Sequence, residues 1–215
     1  MRTVSRSALA AGVFAAALAA GCASAPKSGL HPTPPSLGRL PYSDADVDFM
    51  SGMIPHHAQA VLIAGWAKTH TTNRQLQVLC ERIVVGQRDE IALMQTWLSD
   101  RGLPVPDATS TRHKMKMNGM EHEMLMPGML SDEEMAALDR ARGPEFDRLF
   151  LEGMIRHHQG AIDMVDVLLK TYGAAQDETV FKFANDVYAD QSTEIDRMQK
   201  MLDGGSRTEA ERFIP

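Results

Sequence analysis

The chain has 215 residues and a formal net charge of −6 at pH 7, from 28 acidic and 22 basic residues. Its lysines and arginines are scattered among acidic residues, so the composition excludes a strongly basic face for nucleic acid. Its 15 methionines outnumber the 2 tryptophans, 3 tyrosines and 7 phenylalanines together, which is an unusual richness in sulfur.

The N-terminus has the order of charged, apolar and small residues that is typical of an export signal. Two arginines precede an apolar run over residues 8–20, which is too short to span a membrane comfortably. The sequence Leu18–Cys22 resembles a bacterial lipobox, so we predict that residues 1–21 are a signal peptide and that Cys22 carries the lipid. Ordinary secretion, with cleavage near residues 23–25, is the alternative.

Residues 23–41 are rich in Ala, Ser, Gly and Pro, and this composition predicts a disordered tether between a lipid anchor and the folded part. The expected location is therefore the extracytoplasmic face of the cell envelope, with the membrane as a partner through the anchor. If Cys22 is lipidated, Cys80 has no partner for an internal disulfide, and packing alone must hold the fold together.

The first folded repeat, residues 44–102, predicts two helices joined by a short turn. Ser43 and Asp46 form a capping box, and apolar residues at spacings of three and four follow to about His70.

A second capping box, Thr72 with Gln75, starts the second helix, and Gly102 and Pro104 end it. The spacing of apolar residues in both segments is helical. No β-strand is predicted anywhere in the chain.

A connector, residues 103–144, separates this repeat from a second one, residues 145–204, which Gly204-Gly205 ends before a tail over 205–215. The connector holds one short helix that begins with a capping box at Ser131 and Glu134. We therefore predict an all-α fold for residues 42–204. It is a four-helix bundle built from two duplicated helical hairpins, with a methionine-rich crossover and one short extra helix.

A duplicated motif carries the strongest functional signal. Residues 49–60 read FMSGMIPHHAQA and residues 150–161 read FLEGMIRHHQGA, 101 positions later. Each copy brings two adjacent imidazoles and a thioether one turn away, and the bundle would bring the copies together. The candidate metal ligands are His56, His57, His157, His158, Met53 and Met154. The alternative is a buried network in which these histidines only form hydrogen bonds to glutamates.

Polar residues on the inner stripes of the second and fourth helices should meet these histidines. They belong to a string that both helices share, Gln-x-x-Glu-Ile-x-x-Met-Gln, and comprise Gln87, Glu90, Gln191 and Glu194. We expect them to orient the imidazoles by hydrogen bonds, or to form a buried network that fixes the helix register, with direct ligation of a metal as a further possibility.

The connector gives a second metal signal. Residues 113–129 form a polar, exposed stretch in which we expect loop capture of a soft ion by His113, Met115, Met117, Met120, His122, Met124, Met126 and Met129. Thioethers keep their ligand capacity in an oxidising compartment, and Cu(I) fits them best. The alternative is a loop whose hydrophobic spots dock on the bundle.

The Met-Ile-x-His-His motif in both halves, the shared Gln-x-x-Glu-Ile string and the segment MPGMLSDEEMAAL resemble the family named domain of unknown function 305, over roughly residues 44–203. This resemblance implies a ferritin-like helical bundle in exported bacterial proteins, some of which are associated with copper binding and copper tolerance. The positions that match the family motif are His56, His57, His157 and His158, with Met53, Met154, Glu90 and Glu194 beside them.

Three functions compete at this point. The first is an exported lipoprotein that captures or buffers Cu(I), as a binder rather than an enzyme, because no catalytic motif is recognisable. The second is a metal-free envelope module that binds a protein or small ligand. The third is a di-iron oxidase, which is disfavoured because the chain lacks the Glu-x-x-His motif of those centres.

Overall fold

The computed structural model describes residues 30–31, 41–117 and 120–212. The predicted signal peptide, the lipidation site Cys22 and most of the predicted tether lie outside these residues. Within the described residues, no helix is both long and apolar enough to cross a bilayer.

Six helices and two small sheets make up the described chain, which is mostly helical as predicted. The helices are α1 (Asp44–Gly65), α2 (Ala67–His70), α3 (Arg74–Ser99), α4 (Asp132–Arg140), α5 (Pro144–Lys170) and α6 (Glu178–Arg212). The strands are β1 (Leu30–His31), β2 (Tyr42–Ser43), β3 (His113–Met117) and β4 (Met120–Met124). The four long helices form two hairpins, since α1 packs along α3 and α5 packs along α6, and α1 and α5 join the hairpins.

The capping boxes at Ser43 and Ser131 are confirmed, with the side chain of the third helical residue returning to the backbone of each cap. The predicted box at Thr72 is wrong. Asn73 caps α3 instead, because its side-chain oxygen accepts hydrogen bonds from the N–H groups of Gln75 and Leu76. Pro55 lies inside α1.

Three other sequence expectations need correction. The connector contains the antiparallel pair β3 and β4, although no strand was predicted. In the predicted tether, Leu30–His31 pair with Tyr42–Ser43. The fourth helix was expected to stop at Gly204, yet α6 runs on to Arg212, because Gly204 keeps a negative φ and does not form a left-handed cap.

Two apolar clusters fill the bundle. One contains Phe49 and Met53 of α1 and extends to Val187 of α6, and the other contains Phe150 and Met154 of α5. The duplicated histidines lie between the two clusters along both α1 and α5. The bundle therefore has a polar layer in its middle, with a separate apolar core on each side.

The end of the connector docks into the seam between α1 and α5. Gln59 holds Leu130 by two hydrogen bonds, from its Nε2 to the Leu130 carbonyl at 3.0 Å and from the Leu130 N–H to its Oε1 at 2.8 Å. A Cβ atom on Gly160 would stand only 2.0 Å from the carbonyl oxygen of Pro127. Close approach of two backbones thus requires glycine at position 160.

Gly160→Ala is expected to destabilise the protein by about 1–3 kcal/mol, because the added methyl group must push the connector backbone out of the seam. The matched control is Gly86→Ala in α3, where an added Cβ has nothing within 4 Å. This control should gain up to about 1 kcal/mol from higher helix propensity. Urea unfolding of both variants measures the difference, and equal effects would contradict the docking of the connector.

Candidate metal centre

The four paired histidines form one layer across the bundle, as the sequence predicts. His56 and His57 come from α1, His157 and His158 from α5, and all four are 0% exposed. In each pair the two rings are more than 6 Å apart, because successive helical residues point about 100° away from each other. In each helix, one histidine ring therefore points toward the partner helix of the same hairpin, and the other ring points toward the opposite repeat.

The outer ring of each pair is held by a glutamate from the partner helix of its own hairpin. His57 Nε2 lies 2.8 Å from Glu90 Oε2, and His158 Nε2 lies 2.7 Å from Glu194 Oε2. The glutamate side chains keep 22% and 19% of their surface exposed. The two pairs are equivalent in the duplicated repeats, and each carboxylate links a buried ring to the bundle surface.

The inner rings meet at the seam between the repeats. The centroids of His56 and His157 are 3.8 Å apart, with the ring planes inclined at 42°. His56 Nε2 lies 3.0 Å from the carbonyl oxygen of Pro127, so the docked connector holds this ring. Neither ring nitrogen of His157 has a hydrogen-bond partner among the described residues. The two repeats are thus unequal at their centre.

Burial keeps the inner rings neutral. It lowers the pKa of His56 from 6.5 to about 3, with a further contribution from the nearby His57, while the Pro127 carbonyl opposes the shift. Burial also lowers the pKa of His157 well below its usual value, and the other three histidines add to this effect, while the His56 backbone opposes it. Neutral imidazole is the form that ligates metals.

Several buried nitrogens of the layer are left without a hydrogen-bond partner among the described residues. They are Nδ1 of His56, Nδ1 of His57, both ring nitrogens of His157 and Nδ1 of His158. Buried polar atoms are normally paired, so this group of unpaired ring nitrogens needs an explanation. Imidazole nitrogens are good ligands for copper, so these atoms suit a copper site. No three or more His, Cys, Asp or Glu side chains of the described residues are gathered closely enough to hold an ion.

The predicted thioether ligands flank the layer. Met53 and Met154 are each 0% exposed, but Met53 belongs to the apolar cluster on one side and Met154 to the cluster on the other. The structure thus places one thioether on each side of the histidines and does not bring the two together. Cys80 is a buried free cysteine, and burial together with nearby Asp147 and Glu194 raises the pKa of its thiol.

The predicted loop ligands fall into two groups. Met129 is buried and Met126 is half-buried where the connector docks, so the expectation of an exposed stretch is wrong for Met129. The others belong to the β3–β4 hairpin, where Met120 and Met124 are 61% and 43% exposed and His122 is exposed.

The hairpin register sorts these residues by face. The opposed pairs are His113 with Met124, Met115 with His122, Met117 with Met120, Lys114 with Glu123 and Lys116 with Glu121. Opposed residues of an antiparallel pair share a face, and neighbours along a strand alternate between faces. The three histidine and methionine pairs therefore lie on one face of the hairpin, and the lysine and glutamate pairs lie on the other.

Sequence reasoning missed this hairpin and two contacts. Strict alternation over residues 113–117 and 120–124 on either side of Asn118-Gly119 is the usual signal of a two-residue hairpin. No local signal identifies the Pro127 carbonyl as a partner of His56, because 71 residues separate them. The sequence also did not single out Asp190, which lines a cleft between α3 and α6 together with Glu90 and Glu194.

His157→Leu is expected to stabilise the metal-free protein by about 1–3 kcal/mol, because it removes two buried nitrogens that have no partner. His158→Leu is the matched control, at the same burial and one residue away. It should destabilise by a similar amount because it leaves Glu194 without its hydrogen bond. Urea unfolding with a chelator present measures both, and equal losses would show that His157 is satisfied in the native state.

Residues 46–202 match the profile of the family described as Domain of unknown function (DUF305). The curated protein Uncharacterized protein L153 of Acanthamoeba polyphaga mimivirus is 33% identical over 58 residues, or 27% of this chain. That match spans 38% of the relative's own length.

Solved structures share the fold over a much larger part of the chain. A DUF305 protein from Streptomyces coelicolor is 26% identical, with a TM-score of 0.64 over 75% of this chain and 94% of that one. A DUF305 fragment from Deinococcus radiodurans is 27% identical, with a TM-score of 0.62 over 76% and 99% of the two chains.

CopM in its Cu(I)-bound form is 28% identical, with a TM-score of 0.56 over 74% of this chain and 96% of CopM. CopM has also been solved in Cu(II)-bound and Ag-bound forms. The profile covers most of the chain and the folds agree along it, so the protein belongs to the DUF305 family.

Proposed function

We propose that the protein captures copper, chiefly Cu(I), outside the cytoplasm. The observation that carries this proposal is the group of unpartnered imidazole nitrogens in the fully buried histidine layer. A purely structural network would satisfy its rings, yet His157 has no hydrogen bond to the described residues. Copper binding by the structural relative CopM supports the choice of metal.

Two sites of different character would share the task. The layer would hold copper through His56, His57, His157 and His158, with Met53 and Met154 as thioether ligands from either side of it. The hairpin would collect Cu(I) through its histidines and methionines, of which Met120, His122 and Met124 are exposed, since thioether and imidazole are the ligands that suit this ion. The hairpin is accessible to solvent, whereas the layer is enclosed.

Export supports the same function. The proposed signal peptide over residues 1–21 and the proposed lipid on Cys22 would tether the bundle at the envelope, where copper is met before it enters the cell. Ligation by thioether and imidazole resists the oxidation that would consume free thiols there. Mass spectrometry of the purified native protein tests the anchor, because a diacylated N-terminus at residue 22 is expected, and an unmodified Cys22 would contradict it.

The hydrogen bonds from His57 to Glu90 and from His158 to Glu194 favour a second candidate, a metal-free interaction module with a buried polar network. A titration with Cu(I) decides between the two functions. The titrated protein is made without the lipid and carries Cys22→Ser and Cys80→Ala, because both thiols would bind Cu(I) themselves. Alanine is chosen at position 80 because Ala184 stands at the equivalent position of the second repeat. Under anaerobic reducing conditions we expect this protein to take Cu(I) from a chromophoric chelator, and no competition would overturn the proposal.

A further inference from the structure

The docked end of the connector meets α1 at a glycine. A Cβ atom on Gly52 would stand 2.7 Å from the methyl carbon of Met126 and 3.6 Å from its Sδ. The methyl carbon of Met164, from α5, would lie 3.6 Å from the same Cβ. Gly52 thus leaves the space in which two thioether side chains, one from the connector and one from the second repeat, come together.

These two methionines line one cleft, which lies between α1, α5 and the connector and is open to solvent. Its volume is about 440 Å³. Met126 is half-buried and Met164 is 8% exposed, and both contribute to the wall of the cleft. The two thioethers are therefore at a place that an ion from solution can reach, unlike the enclosed histidine layer.

The equivalent place in the second repeat shows that docking of the connector does not require methionine. Gly153 stands 101 positions after Gly52 and contacts Leu130 of the connector, whose Cδ2 would lie 3.3 Å from an added Cβ. Ile63 stands at the position equivalent to Met164. The connector thus packs on one glycine with an aliphatic side chain and on the other with a thioether that meets a second thioether.

The charge around the Gly52 cleft suits a positive ion. The carboxylates of Asp48 and Asp163 line this cleft, and no lysine, arginine or histidine of the described chain does so. The cleft beside Gly153, by contrast, includes the guanidinium of Arg156. Carboxylates raise the local concentration of cations, and thioethers select soft ions such as Cu(I) among them.

We propose that Met126 and Met164 together bind Cu(I) in this cleft. Their sulfur atoms are the ligands. Methionine has several rotatable side-chain bonds, so sulfurs that start from neighbouring positions can turn toward one ion. The choice of metal rests on the proposed function, but Met164 belongs to neither the histidine layer nor the hairpin.

The site lies between the two proposed copper sites. Along the connector, Met126 follows the exposed Met124 of the hairpin by two residues. It also directly precedes Pro127, whose carbonyl oxygen lies 3.0 Å from His56 Nε2. Gly52 precedes His56 by four residues, so the two lie about one turn apart on the same face of α1. Cu(I) in the cleft is therefore placed to pass from the hairpin to the layer.

Nuclear magnetic resonance of protein labelled with ¹³C in its methionine methyl groups tests the site, because ligation of the sulfur changes the chemical shift of the attached methyl group. The protein lacks the lipid, carries Cys22→Ser and Cys80→Ala, and is titrated with Cu(I) under anaerobic reducing conditions. The signals are assigned by their loss in Met126→Leu and in Met164→Ile. We expect both signals to move at the same ratio of copper to protein.

Met126→Leu should keep the connector docked, since Leu130 fills the equivalent space beside the other glycine. The Met164 signal should nevertheless lose most of its response to Cu(I) in this variant. Met94→Leu is the matched control, because Met94 is buried in the same apolar cluster as Met164 but does not line the cleft. It should leave the responses of both signals unchanged.

A variant with the four layer histidines replaced should keep both responses. If they were lost there, the two methyl groups would only report on the layer and the proposal would be wrong. Uptake of Cu(I) in the chelator competition while the signals of Met126 and Met164 stay in place would overturn this site and leave the proposed function standing. Equal effects of Met94→Leu and Met126→Leu would also overturn it. If the protein takes up no Cu(I) at all, the proposed function fails and this site fails with it.

Discussion

Replacement of the four layer histidines is expected to lower the affinity for Cu(I) about 100-fold or more and to reduce the stoichiometry by the copper held in the bundle. The variant combines His56→Leu, His57→Gln, His157→Leu and His158→Gln. Leucine fills nearly the same volume as the inner rings, and the amide of glutamine can still donate a hydrogen bond to Glu90 or Glu194. The variant should therefore keep the fold while it loses the ligands.

The complementary variant changes the hairpin. Met120→Leu, His122→Gln and Met124→Leu alter only exposed positions, so the bundle should be unaffected. This variant should keep the tighter copper site and lose the weaker one in the chelator competition. Circular dichroism of each variant checks that helix content is preserved.

The two variants have to differ for the two-site proposal to hold. If the histidine variant bound Cu(I) as tightly as the unchanged protein, the layer would not be the main site and the hairpin would take its place. If both variants kept full affinity, neither set of residues would be the ligand set. If both lost all affinity, the ligands would form one shared site and the two-site proposal would be wrong.

The histidine layer could be predicted from the sequence because its determinants are local and repeated. The spacing in α1 and α5 puts the histidines on the inner stripes, and the spacing in α3 and α6 puts Glu90 and Glu194 on theirs. Once two hairpins pack face to face, these stripes have to meet. The pairing of His57 with Glu90 and of His158 with Glu194 follows from that geometry.

The difference between the two inner rings could not be predicted in this way. His56 obtains a partner from the connector, whose path depends on the close approach of Pro127 to Gly160. The duplicated motif makes His56 and His157 look equivalent, and only the asymmetric crossover distinguishes them. This is a tertiary contact between segments that are distant in sequence, so no local pattern encodes it.

The prediction of the N-terminal cap of α3 was wrong for a similar reason. Thr72 with Gln75 satisfies the local pattern of a capping box, but Asn73 also bonds to Asp147 of α5 through its side-chain amide, at 2.9 Å. That long-range bond, together with the backbone bonds to the first turn of α3, favours Asn73 as the cap. The hairpin is a different case, because its alternation was present in the sequence and was interpreted only as a set of metal ligands.

Acidification should destabilise the metal-free protein, and the histidine layer should be the main cause. An unfolded histidine takes up a proton near pH 6.5, whereas His56 in the fold does so only at about pH 3. His157 follows the same direction, since its pKa is also lowered by burial. Between these pH values the unfolded chain binds more protons than the folded one, so the free energy of unfolding falls as the pH is lowered.

The expected loss from His56 is about 1 kcal/mol per pH unit over the window from pH 6.5 toward pH 3, and His157 adds a loss in the same direction because burial also lowers its pKa. Above pH 6.5 both states are neutral at these rings and the term vanishes. Asp48 and Asp190 have raised pKa values and therefore act in the opposite sense, but only where carboxyl groups begin to protonate, near their usual pKa of about 4.

Urea unfolding between pH 7 and pH 4.5, with a chelator present, measures this loss above the range in which carboxyl groups dominate. The variant His56→Leu with His157→Leu is the control, because it removes both rings and keeps the outer histidines with their glutamates. The free energy of unfolding of this variant should change with pH by about 1–3 kcal/mol less per unit than that of the unchanged protein. Parallel curves for the two proteins would mean that the inner rings are protonated or solvated in the native state. A buried neutral layer, ready to ligate a metal without first losing protons, would then be ruled out.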